Sequence, residues 1–478
     1  MRRDLRLTDN PALQAALQRG GAIVPLHIDD PTAARPAGAA SRWWLHHSLA
    51  ALSDDLAMRG SALLVRRGPP LSVLRQVVTE CAATAVYWNR LYEPEAVERD
   101  GPIKAALRAD GIEARSFGAA LWAEPWTLQT GGGKPFKVFS PFWRTLSQQL
   151  PQAPVVPAPD RVPSPPRWPA GLALDALELR PRIAWDSGLA QHWQPGEASA
   201  LRRLEAFVDA GLDGYHHNRD QPGIDGVSRL SPHLHFGEVG PRQVLAAVRR
   251  RYPTAPPELE PRGCRDGEHF LRELGWREFA HHLLYHFPQT PDRPLYARFD
   301  AFPWRTPADS AADLDAWRHG RTGIPIVDAG MRELWRTGWM HNRVRMIVAS
   351  LLTKNLLIPW QEGAAWFWDT LVDADLANNT LGWQWTAGCG ADAAPYFRVF
   401  NPVLQSRKFD PDGSYLRRWL PELADLPDRE LHEPWLGAAA AARGYPAPIV
   451  DLRASRQRAL AAYEAVRAGA PVQDEASD

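Results

Sequence analysis

The sequence predicts two fold classes in one chain, an N-terminal α/β domain with a parallel sheet and then a mostly α-helical domain. Over about the first 120 residues, short apolar runs alternate with helical patterns, which is typical of parallel βαβ units. Ten prolines then fall between Pro151 and Pro195, and proline disfavours long helices and central strands. Beyond Gly196, helical periodicity dominates.

The α/β domain is expected over residues 1–122. Its strands are predicted from short apolar runs, and its helices from the longer patterned segments between them. The predicted strands are Ala22–Ile28, Leu63–Arg66 and Ala85–Trp88, and the predicted helices are Trp43–Met58 and Leu71–Cys81.

Residues 123–195 are expected to form a proline-rich interdomain connector, and residues 196–478 a helical domain. Several segments of the second domain repeat apolar residues with a helical period. These predicted helices are Ala198–Ala210, Arg242–Arg251, His269–Phe287, Val327–Arg336, Val344–Leu357 and Ala365–Val372.

Composition limits the possible partners and compartment. Lys plus Arg and Asp plus Glu both number 55, so binding to nucleic acid would need a local basic surface. Cys81, Cys264 and Cys389 show no CxxC spacing, which predicts neither a disulfide framework nor a metal site. No apolar run approaches about 18 residues. We therefore expect a cytoplasmic monomer that does not bind a membrane.

The stretch from Asp373 to Pro402 is the most informative part of the chain. It combines two acids one residue apart, two adjacent asparagines, a Trp-Gln-Trp triplet and an Ala-Pro-Tyr-Phe-Arg run. This combination resembles the signature of the DNA photolyase and cryptochrome family. The resemblance extends from Arg3–Leu7 (RDLRL) to Glu433-Pro434-Trp435 and Tyr445-Pro446, and is strongest to bacterial class I cyclobutane pyrimidine dimer photolyases.

The resemblance implies a Rossmann-like sheet in the first domain and an FAD- and DNA-binding helical second domain. Family members usually have an apolar strand directly before the segment that matches Arg3–Leu7, in the middle of the sheet. Here Met1 leaves no room for that strand. Its loss would leave neighbouring strands with unpaired backbone groups, at about 1–3 kcal/mol each if buried. We therefore expect translation to begin upstream of Met1, which the intact mass of the native protein would test.

The resemblance also assigns residues to an FAD pocket. Tyr215 matches the tyrosine that lies against FAD, and the segment Gly226–Ser231 matches a phosphate-binding loop, although serines before a helix also serve as simple N-caps. Val227 replaces a threonine of some relatives. The predicted cofactor-binding residues are Tyr215, Val227, Ser228, Arg229, Leu230, Ser231, Phe270, Arg345, Asp373, Asp375 and Asn379.

Three members of this set have individual roles by resemblance. Arg345 would pair with Asp373, and Asp375 would accept hydrogen bonds from the polar edge of the flavin. Asn379 matches the residue that faces the reactive flavin nitrogen, where repair enzymes typically carry Asn and many cryptochromes carry Asp or Cys. Asn379 therefore favours repair over signalling.

Three tryptophans match the family's electron relay from the protein surface to the photoexcited flavin, namely Trp383, Trp360 and Trp304. The first two stand in matching contexts. Trp304 lies in a segment that looks longer than in relatives, and a role in covering the core is the alternative.

Substrate contact is expected from Glu273, Trp276 and Arg277, which fall on one face of a predicted helix. This trio suits a flipped-out pyrimidine dimer, because an aromatic ring stacks, a carboxyl group bonds base edges and a guanidinium binds phosphate. Trp385 would form a second aromatic wall, and Asn342 and Met346 would close the pocket, which points to cyclobutane rather than (6-4) lesions. Candidate phosphate contacts that are equally consistent with solvated side chains are Arg343, Arg398, Gln405, Arg407 and Lys408.

The resemblance thus predicts a deoxyribodipyrimidine photolyase, a carbon–carbon lyase that uses reduced anionic FAD and light to repair ultraviolet-damaged DNA. The catalytic residues would be Glu273, Asn379, Trp383, Trp360 and Trp304. A cryptochrome-like photoreceptor is the main alternative. A dark oxidoreductase is disfavoured because no GxGxxG fingerprint opens the first domain. A second, antenna chromophore (folate, deazaflavin or flavin) is left open, since Glu95 and Ala96 replace the Asn-Glu pair of some folate binders.

Overall fold

The computed structural model describes residues 1–252, 262–393 and 397–469. Its contacts divide the chain into two compact units. Unit 1 comprises Met1–His216, Val227–Pro288 and Leu371–Asp375, and unit 2 comprises His217–Gly226, Gln289–Thr370 and Leu376–Asp478. The predicted fold class is confirmed, because unit 1 contains parallel strands with helices and unit 2 is helical in its described part. The predicted boundaries at residues 122 and 195 were placed from sequence patterns, and they stay a prediction.

In the described part of unit 1, four short parallel strands form the sheets. They are β1 (Leu26–Asp29), β2 (Leu64–Arg67), β3 (Ala85–Asn89) and β4 (Glu113–Phe117). β1 pairs with β2, and β3 pairs with β4, as two separate two-stranded sheets. The Met1 ammonium group donates to the Leu26 carbonyl of β1 at 2.8 Å. The Arg2 guanidinium donates to the Asn89 carbonyl of β3, also at 2.8 Å.

The helices of unit 1 alternate with these strands and then continue without them. The ranges, including one that crosses into unit 2 at its end, are α1 Pro11–Arg19, α2 Ala39–Met58, α3 Pro70–Cys81, α4 Pro94–Ala109, α5 Phe139–Ser147, α6 Ser187–His192, α7 Glu197–Ala206, α8 Tyr215–Asn218, α9 Ser231–His235, α10 Pro241–Arg251 and α11 Arg262–His286. Shorter turns are the 3₁₀ segments Pro125–Thr127 and Leu174–Leu177 and the π-helical segment Phe207–Gly211.

Local sequence explains where α1 begins and ends. The Asn10 side chain accepts from the Leu13 amide, and Pro11 occupies the first turn, where its missing N–H is no loss. Gly20 ends the helix with φ +82°, a value that glycine adopts without strain.

Two apolar clusters hold the helices against the sheets. Leu64 of β2 packs with Val73 and Val77 of α3. Ala114 of β4 packs with Ile103 and Leu107 of α4. Each cluster therefore packs a helix against neighbouring strands, as expected of βαβ units.

The Arg3–Leu7 segment contains a buried arginine, Arg6. Arg6 is 1% exposed and donates to the carbonyls of Gly237 at 2.9 Å and Asp9 at 3.0 Å. Gly237 lies so close to this segment that an added Cβ would stand 2.6 Å from the Arg3 carbonyl carbon. The motif thus fastens the chain start to the turn after α9.

The predicted connector is partly helical, in contrast to the expectation. α5 buries Phe139, Phe142 and Leu146, and the Phe142 ring lies 5.1 Å from that of Phe279 in α11. Prolines before and after α5 interrupt the sequence pattern, but packing on a distant helix stabilises it.

Unit 2 consists of helices joined by short turns in its described residues. They are α12 Pro307–Arg318, α13 Pro325–Thr337, α14 Asn342–Ser350, α15 Trp360–Thr370, α16 Leu376–Ala387, α17 Pro402–Phe409, α18 Ser414–Trp419, α19 Asp428–Leu431, α20 Ala439–Ala442 and α21 Leu452–Ala468. The 3₁₀ segments are Ala297–Ala301, Pro421–Leu423 and Pro434–Leu436.

Two predicted helices differ in detail. The predicted helix Val344–Leu357 is α-helical as far as Ser350 and then π-helical over Leu351–Asn355. The predicted helix Ala365–Val372 begins earlier, at Trp360, and ends at Thr370. None of the described helices combines the length and apolar character that crossing a bilayer requires.

Candidate active site

α11 carries the predicted substrate-facing trio of unit 1. Trp276 is half-buried, and its ring stacks on Phe139 of α5 at a centroid distance of 3.7 Å and an interplanar angle of 9°. Phe139 therefore holds the Trp276 ring in a fixed orientation. Glu273 lies one turn earlier and is half-buried as well.

Arg277 lies in surroundings that its sequence prediction did not foresee. Its Nη1 donates to the Ala120 carbonyl at 2.6 Å, and its charge helps to hold the pKa of Asp375 well below the ordinary value. A guanidinium engaged within the unit is less suited to a DNA phosphate than an exposed one. Arg277 contributes first to the electrostatics of unit 1.

Asp373 and Asp375 are both buried, at 8% and 6% exposure. Two histidines flank the Asp375 carboxylate, with His235 Nδ1 at 3.5 Å and His281 Nε2 at 3.6 Å from Oδ2. Burial would raise the pKa of Asp375, but the two histidines and Arg277 lower it well below the usual range. The carboxylate is thus ionised. The sequence prediction missed both histidines.

Aromatic packing surrounds the predicted flavin-contacting tyrosine. Tyr215 is buried at 6% exposure and meets Phe270 edge-to-face at 5.4 Å and Phe207 at 5.7 Å. The predicted pair of Tyr215 and Phe270 therefore lies together in unit 1.

The predicted phosphate loop directly precedes α9. Leu230 is buried, whereas Val227, Ser228 and Arg229 are half-buried and Ser231 is exposed. Arg229 adopts φ +51°, an uncommon conformation for a residue other than glycine. Such a turn before a helix is compatible with gripping phosphate through backbone N–H groups.

In unit 2, α14 begins at Asn342, two residues before the predicted start at Val344. The His341 side chain caps it by accepting from the Arg343 amide at 3.2 Å, and Asn342 is exposed whereas Met346 is half-buried. Arg343 pairs with Asp220 at 2.6 Å, and its guanidinium lies 4.3 Å above the Phe409 ring. Arg343 is therefore ordered rather than freely solvated.

Arg345 donates from Nε to the Met340 carbonyl at 2.7 Å, and its guanidinium lies 5.8 Å from the centre of the Trp339 ring. Its predicted partner Asp373 belongs to unit 1. The pairing therefore stays a prediction.

α15 and α16 contain Asn379 and two tryptophans of the predicted relay. Trp360 and Trp383 are both 2% exposed. The Asn379 amide donates to the Ala364 carbonyl at 3.0 Å, which leaves its carbonyl oxygen and a second N–H for other partners. Trp383 lies against Gly363, so closely that an added Cβ would stand 2.6 Å from ring atom Cζ2.

Two tryptophans of the predicted relay, Trp383 and Trp304, contact other aromatic rings. Trp383 meets Phe367 at 5.0 Å and Trp317 at 6.2 Å, and the half-buried Trp304 meets Phe302 at 4.4 Å. The relay order Trp383, Trp360, Trp304 stays a prediction.

Half-buried Trp385 is positioned through its neighbour Gln384, which donates to the carbonyls of Thr290 at 2.7 Å and Arg293 at 2.8 Å. The sequence prediction missed this role, because backbone acceptors leave no sequence signal.

The remaining predicted DNA contacts lie near the helix α17. Arg398 is exposed and Gln405 half-buried. Arg407 pairs with Glu433, and Lys408 lies 5.1 Å from the centre of the Phe409 ring. From the predicted Ala-Pro-Tyr-Phe-Arg run, residues 394–396 lie outside the described residues.

The sequence is similar over nearly its full length to the Agrobacterium fabrum protein named deoxyribodipyrimidine photo-lyase, with 46% identity over 98% of this chain and 97% of that protein. The chain belongs to the DNA photolyase and cryptochrome family. The family model for DNA photolyase matches residues 1–164, and the one for the FAD binding domain of DNA photolyase matches residues 270–465.

Two further comparisons place the chain within the photolyase and cryptochrome family. Cryptochrome-1 of Arabidopsis thaliana is 40% identical over 96% of this chain and 68% of that protein. A bacterial class III photolyase from Agrobacterium tumefaciens matches with a TM-score of 0.92 and 45% identity, over 98% of this chain and 97% of that structure. The photolyase fold of the chain is therefore established.

The residues of this photolyase-family chain fit FAD. Ionised Asp375 can accept hydrogen bonds from the N–H and hydroxyl groups of such a ligand. The Tyr215 and Phe270 cluster supplies an apolar aromatic wall, and the loop Ser228–Ser231 supplies backbone N–H groups and a guanidinium for the pyrophosphate.

Proposed function

We propose that this protein repairs cyclobutane pyrimidine dimers in DNA under light. The full-length similarity to the Agrobacterium fabrum photolyase carries this proposal. Asn379 supports it further, since by resemblance repair enzymes carry Asn at that position. In reaction terms the protein is a carbon–carbon lyase that acts on ultraviolet-damaged DNA.

FAD is held by the residues that the resemblance assigns to it. Tyr215 and Phe270 contact its apolar surface, the loop Val227–Ser231 binds its phosphates, and Arg345, Asp373, Asp375 and Asn379 contact its polar groups. When bound in its reduced anionic form, FAD supplies the photoexcited electron that splits the cyclobutane ring. The protein contributes binding, orientation and electrostatics.

The substrate-facing side chains bind and orient the flipped-out dimer. Trp276 needs little reorientation, because its ring is already stacked on Phe139, so less conformational freedom is lost on binding. Trp385 provides the second aromatic wall, and Asn342 and Met346 close the pocket. Glu273 bonds the dimer and stabilises the negative charge that develops on it.

Phosphate contacts come from side chains that reach solvent. Exposed Arg398 and half-buried Gln405 fit this role best. Arg343 contributes from its fixed position beside Asp220. Arg277 acts instead on the buried Asp375, because its guanidinium is engaged with the Ala120 carbonyl.

Trp383, Trp360 and Trp304 relay electrons for photoreduction. Trp383 and Trp360 are buried, whereas Trp304 reaches the surface. This order of exposure suits a path that ends at solvent.

A cryptochrome-like photoreceptor is the second candidate, because cryptochromes are also close relatives. Within the repair reading, the sequence resemblance favours class I, whereas the Agrobacterium tumefaciens structure is titled class III. We propose class III as the subclass, which the full-length similarity supports. An antenna chromophore, a monomeric state and a cytoplasmic location complete the proposal.

The decisive experiment measures loss of cyclobutane dimers from ultraviolet-irradiated DNA, with purified protein and reductant, in blue light and in the dark. Light-dependent loss with restored thymine is expected. Bound, photoreducible FAD without dimer loss would contradict repair and favour a photoreceptor.

A pair of tryptophan variants tests the substrate face. Trp276→Ala should weaken binding to damaged DNA by about tenfold or more, since base stacking contributes about 1–3 kcal/mol. Trp335→Ala is the control, because Trp335 is 64% exposed on α13 and has no proposed role. Equal binding by both variants would contradict the assignment of Trp276.

A further inference from the structure

The contact between His281 and Asp375 in unit 1 has an unusual arrangement of hydrogen-bond donors and acceptors. Both side chains are buried, at 5% and 6% exposure. His281 Nε2 faces Asp375 Oδ2 at 3.6 Å, beyond the usual range for a hydrogen bond. The two groups are close but not bonded.

The other ring nitrogen of His281 fixes its tautomer. Nδ1 lies 3.0 Å from the Arg277 carbonyl, and a carbonyl oxygen can only accept. Nδ1 must therefore carry the proton, so that in the neutral ring Nε2 has a lone pair and no hydrogen. Neutral His281 thus presents an acceptor to the carboxylate, which is an acceptor as well.

The charges around this contact oppose protonation of His281. The pKa of His281 is lowered to about 4, mainly by burial; Asp375 raises it, and the nearby cations Arg277 and Arg3 lower it. Across the ring, Tyr92 makes an edge-to-face contact at 6.4 Å. At neutral pH the ring is therefore uncharged.

The same neighbouring side chains also shift the pKa of Asp375. Burial raises its pKa, but His281, His235 and Arg277 together lower it well below the usual range. His235 also lies near Asp373 and Arg3, and burial lowers its pKa too. His235 Nδ1 can carry a proton toward Asp375 in its neutral form, at 3.5 Å.

Protonation would change Nε2 of His281 from a hydrogen-bond acceptor into a donor. With a proton on Nε2, the ring would donate to Asp375 Oδ2 while Nδ1 keeps its bond to the Arg277 carbonyl. We propose that His281 is a positioning residue for Asp375, which it leaves available to FAD when neutral and engages through Nε2–H when protonated. This inference rests on the proposed function, in which Asp375 accepts hydrogen bonds from FAD.

The linkage has a defined sign and slope. Protonated His281 competes with FAD for the same carboxylate oxygen, so acidification weakens FAD binding. One linked proton changes the dissociation constant by at most about tenfold per pH unit. Above the titration range of His281, its contribution to the pH dependence vanishes.

Two variants separate the two ring nitrogens. His281→Asn keeps an N–H near the Nδ1 position, for the Arg277 carbonyl, but offers no donor to Asp375 at any pH. His281→Gln places a permanent N–H near the Nε2 position and mimics the protonated ring without its charge. His286→Asn, on the same helix, is the control for loss of a histidine elsewhere.

The experiment measures the FAD dissociation constant of each protein from the fluorescence of released FAD, over the pH range in which circular dichroism shows the fold intact. In a plot of the logarithm of the FAD dissociation constant against pH, the slope for His281→Asn should be smaller than the wild-type slope by one proton. His286→Asn should keep the wild-type slope. His281→Gln should bind FAD about tenfold more weakly at pH 7.5, since its amide occupies a charged acceptor.

The outcomes distinguish the two levels of the proposal. Failure of wild-type protein to bind FAD at pH 7.5 would contradict the proposed function and this inference with it. Wild-type binding with equal slopes in wild type and His281→Asn would overturn only the inference. An Nε2–H tautomer of His281 at pH 7, read from its ring ¹⁵N shifts, would also overturn it.

Discussion

Replacing Gly363 with alanine tests whether α15 fixes the position of Trp383, a residue of the predicted relay. The added Cβ would stand 2.6 Å from Cζ2 and nearer still to two other ring atoms, whereas carbon atoms pack at about 3.5–4.0 Å. The ring must therefore move by about an ångström or more. It has little room, since Trp383 is 2% exposed and meets Phe367 and Trp317.

Gly382 offers a matched control one residue before Trp383. It lies inside α16, and an added Cβ would meet no atom within 4 Å. Each glycine-to-alanine change in a helix interior gains about 0.5–1 kcal/mol from backbone propensity. This gain is common to both variants and cancels in their difference. What remains is the overpacking at Gly363, about 1–3 kcal/mol of lost stability.

The first assay is urea unfolding of wild type, Gly363→Ala and Gly382→Ala, followed by circular dichroism. Gly382→Ala should equal or exceed wild type, and Gly363→Ala should fall below Gly382→Ala by about 1–3 kcal/mol. The second assay is the rate of FAD photoreduction in blue light with a reductant. Displacement of Trp383 should slow it in Gly363→Ala alone. Equal stability and equal rates in the two variants would refute the steric reasoning.

Three further predictions concern charge and hydrogen bonding. Glu273→Gln should reduce the quantum yield of repair more than dimer affinity; an unchanged yield would refute a role of Glu273 in stabilising the dimer anion. Burial lowers the pKa of His282 to about 3, below the value of about 6.5 in the unfolded chain. The contribution of neutral His282 to the free energy of unfolding is therefore complete above about pH 6.5 and decreases on acidification, by about 2 kcal/mol at pH 5. His282→Gln, which can still accept from the Phe136 amide, should flatten the urea-midpoint profile between pH 7 and 5; an unchanged profile counts against it. Glu238→Gln should lower the free energy of unfolding by about 3 kcal/mol, because the fully buried carboxylate accepts from Trp44 Nε1 and two other donors; a urea midpoint like that of wild type would contradict this.

The sequence predicted the elements whose signal is local. The strands around Leu26, Leu64 and Ala85 and their intervening helices follow from short apolar runs and helical patterns, which neighbouring residues provide. α5 escaped prediction because its stability comes from contact with α11, far along the chain. The π-helical turn at Leu351–Asn355 also has no sequence signature, since α- and π-helices present similar apolar periods.

The residues of the candidate site likewise fall into those that the sequence predicted and those that it did not. Motif resemblance could single out Asp375 and Asn379, because their residue types and spacing are distinctive. It could not show that His235 and His281 flank Asp375, because these residues come from two other segments of the chain. It could not show that the Arg277 guanidinium donates to the backbone carbonyl of Ala120, because a backbone partner is independent of residue type; the contact of Arg277 with phosphate stays a prediction.

The division of the chain into its two units bears on the order of events during synthesis. The last segment of unit 1, Leu371–Asp375, follows 82 residues of unit 2, Gln289–Thr370. Unit 1 therefore cannot be completed on the ribosome until about half of unit 2 has emerged, although domains generally fold as they appear. A nascent chain stalled before residue 371 would lack both carboxylates of the proposed FAD pocket, Asp373 and Asp375. Holding FAD is thus expected to be a late step of biogenesis, in which unfinished chains cannot compete for the cofactor.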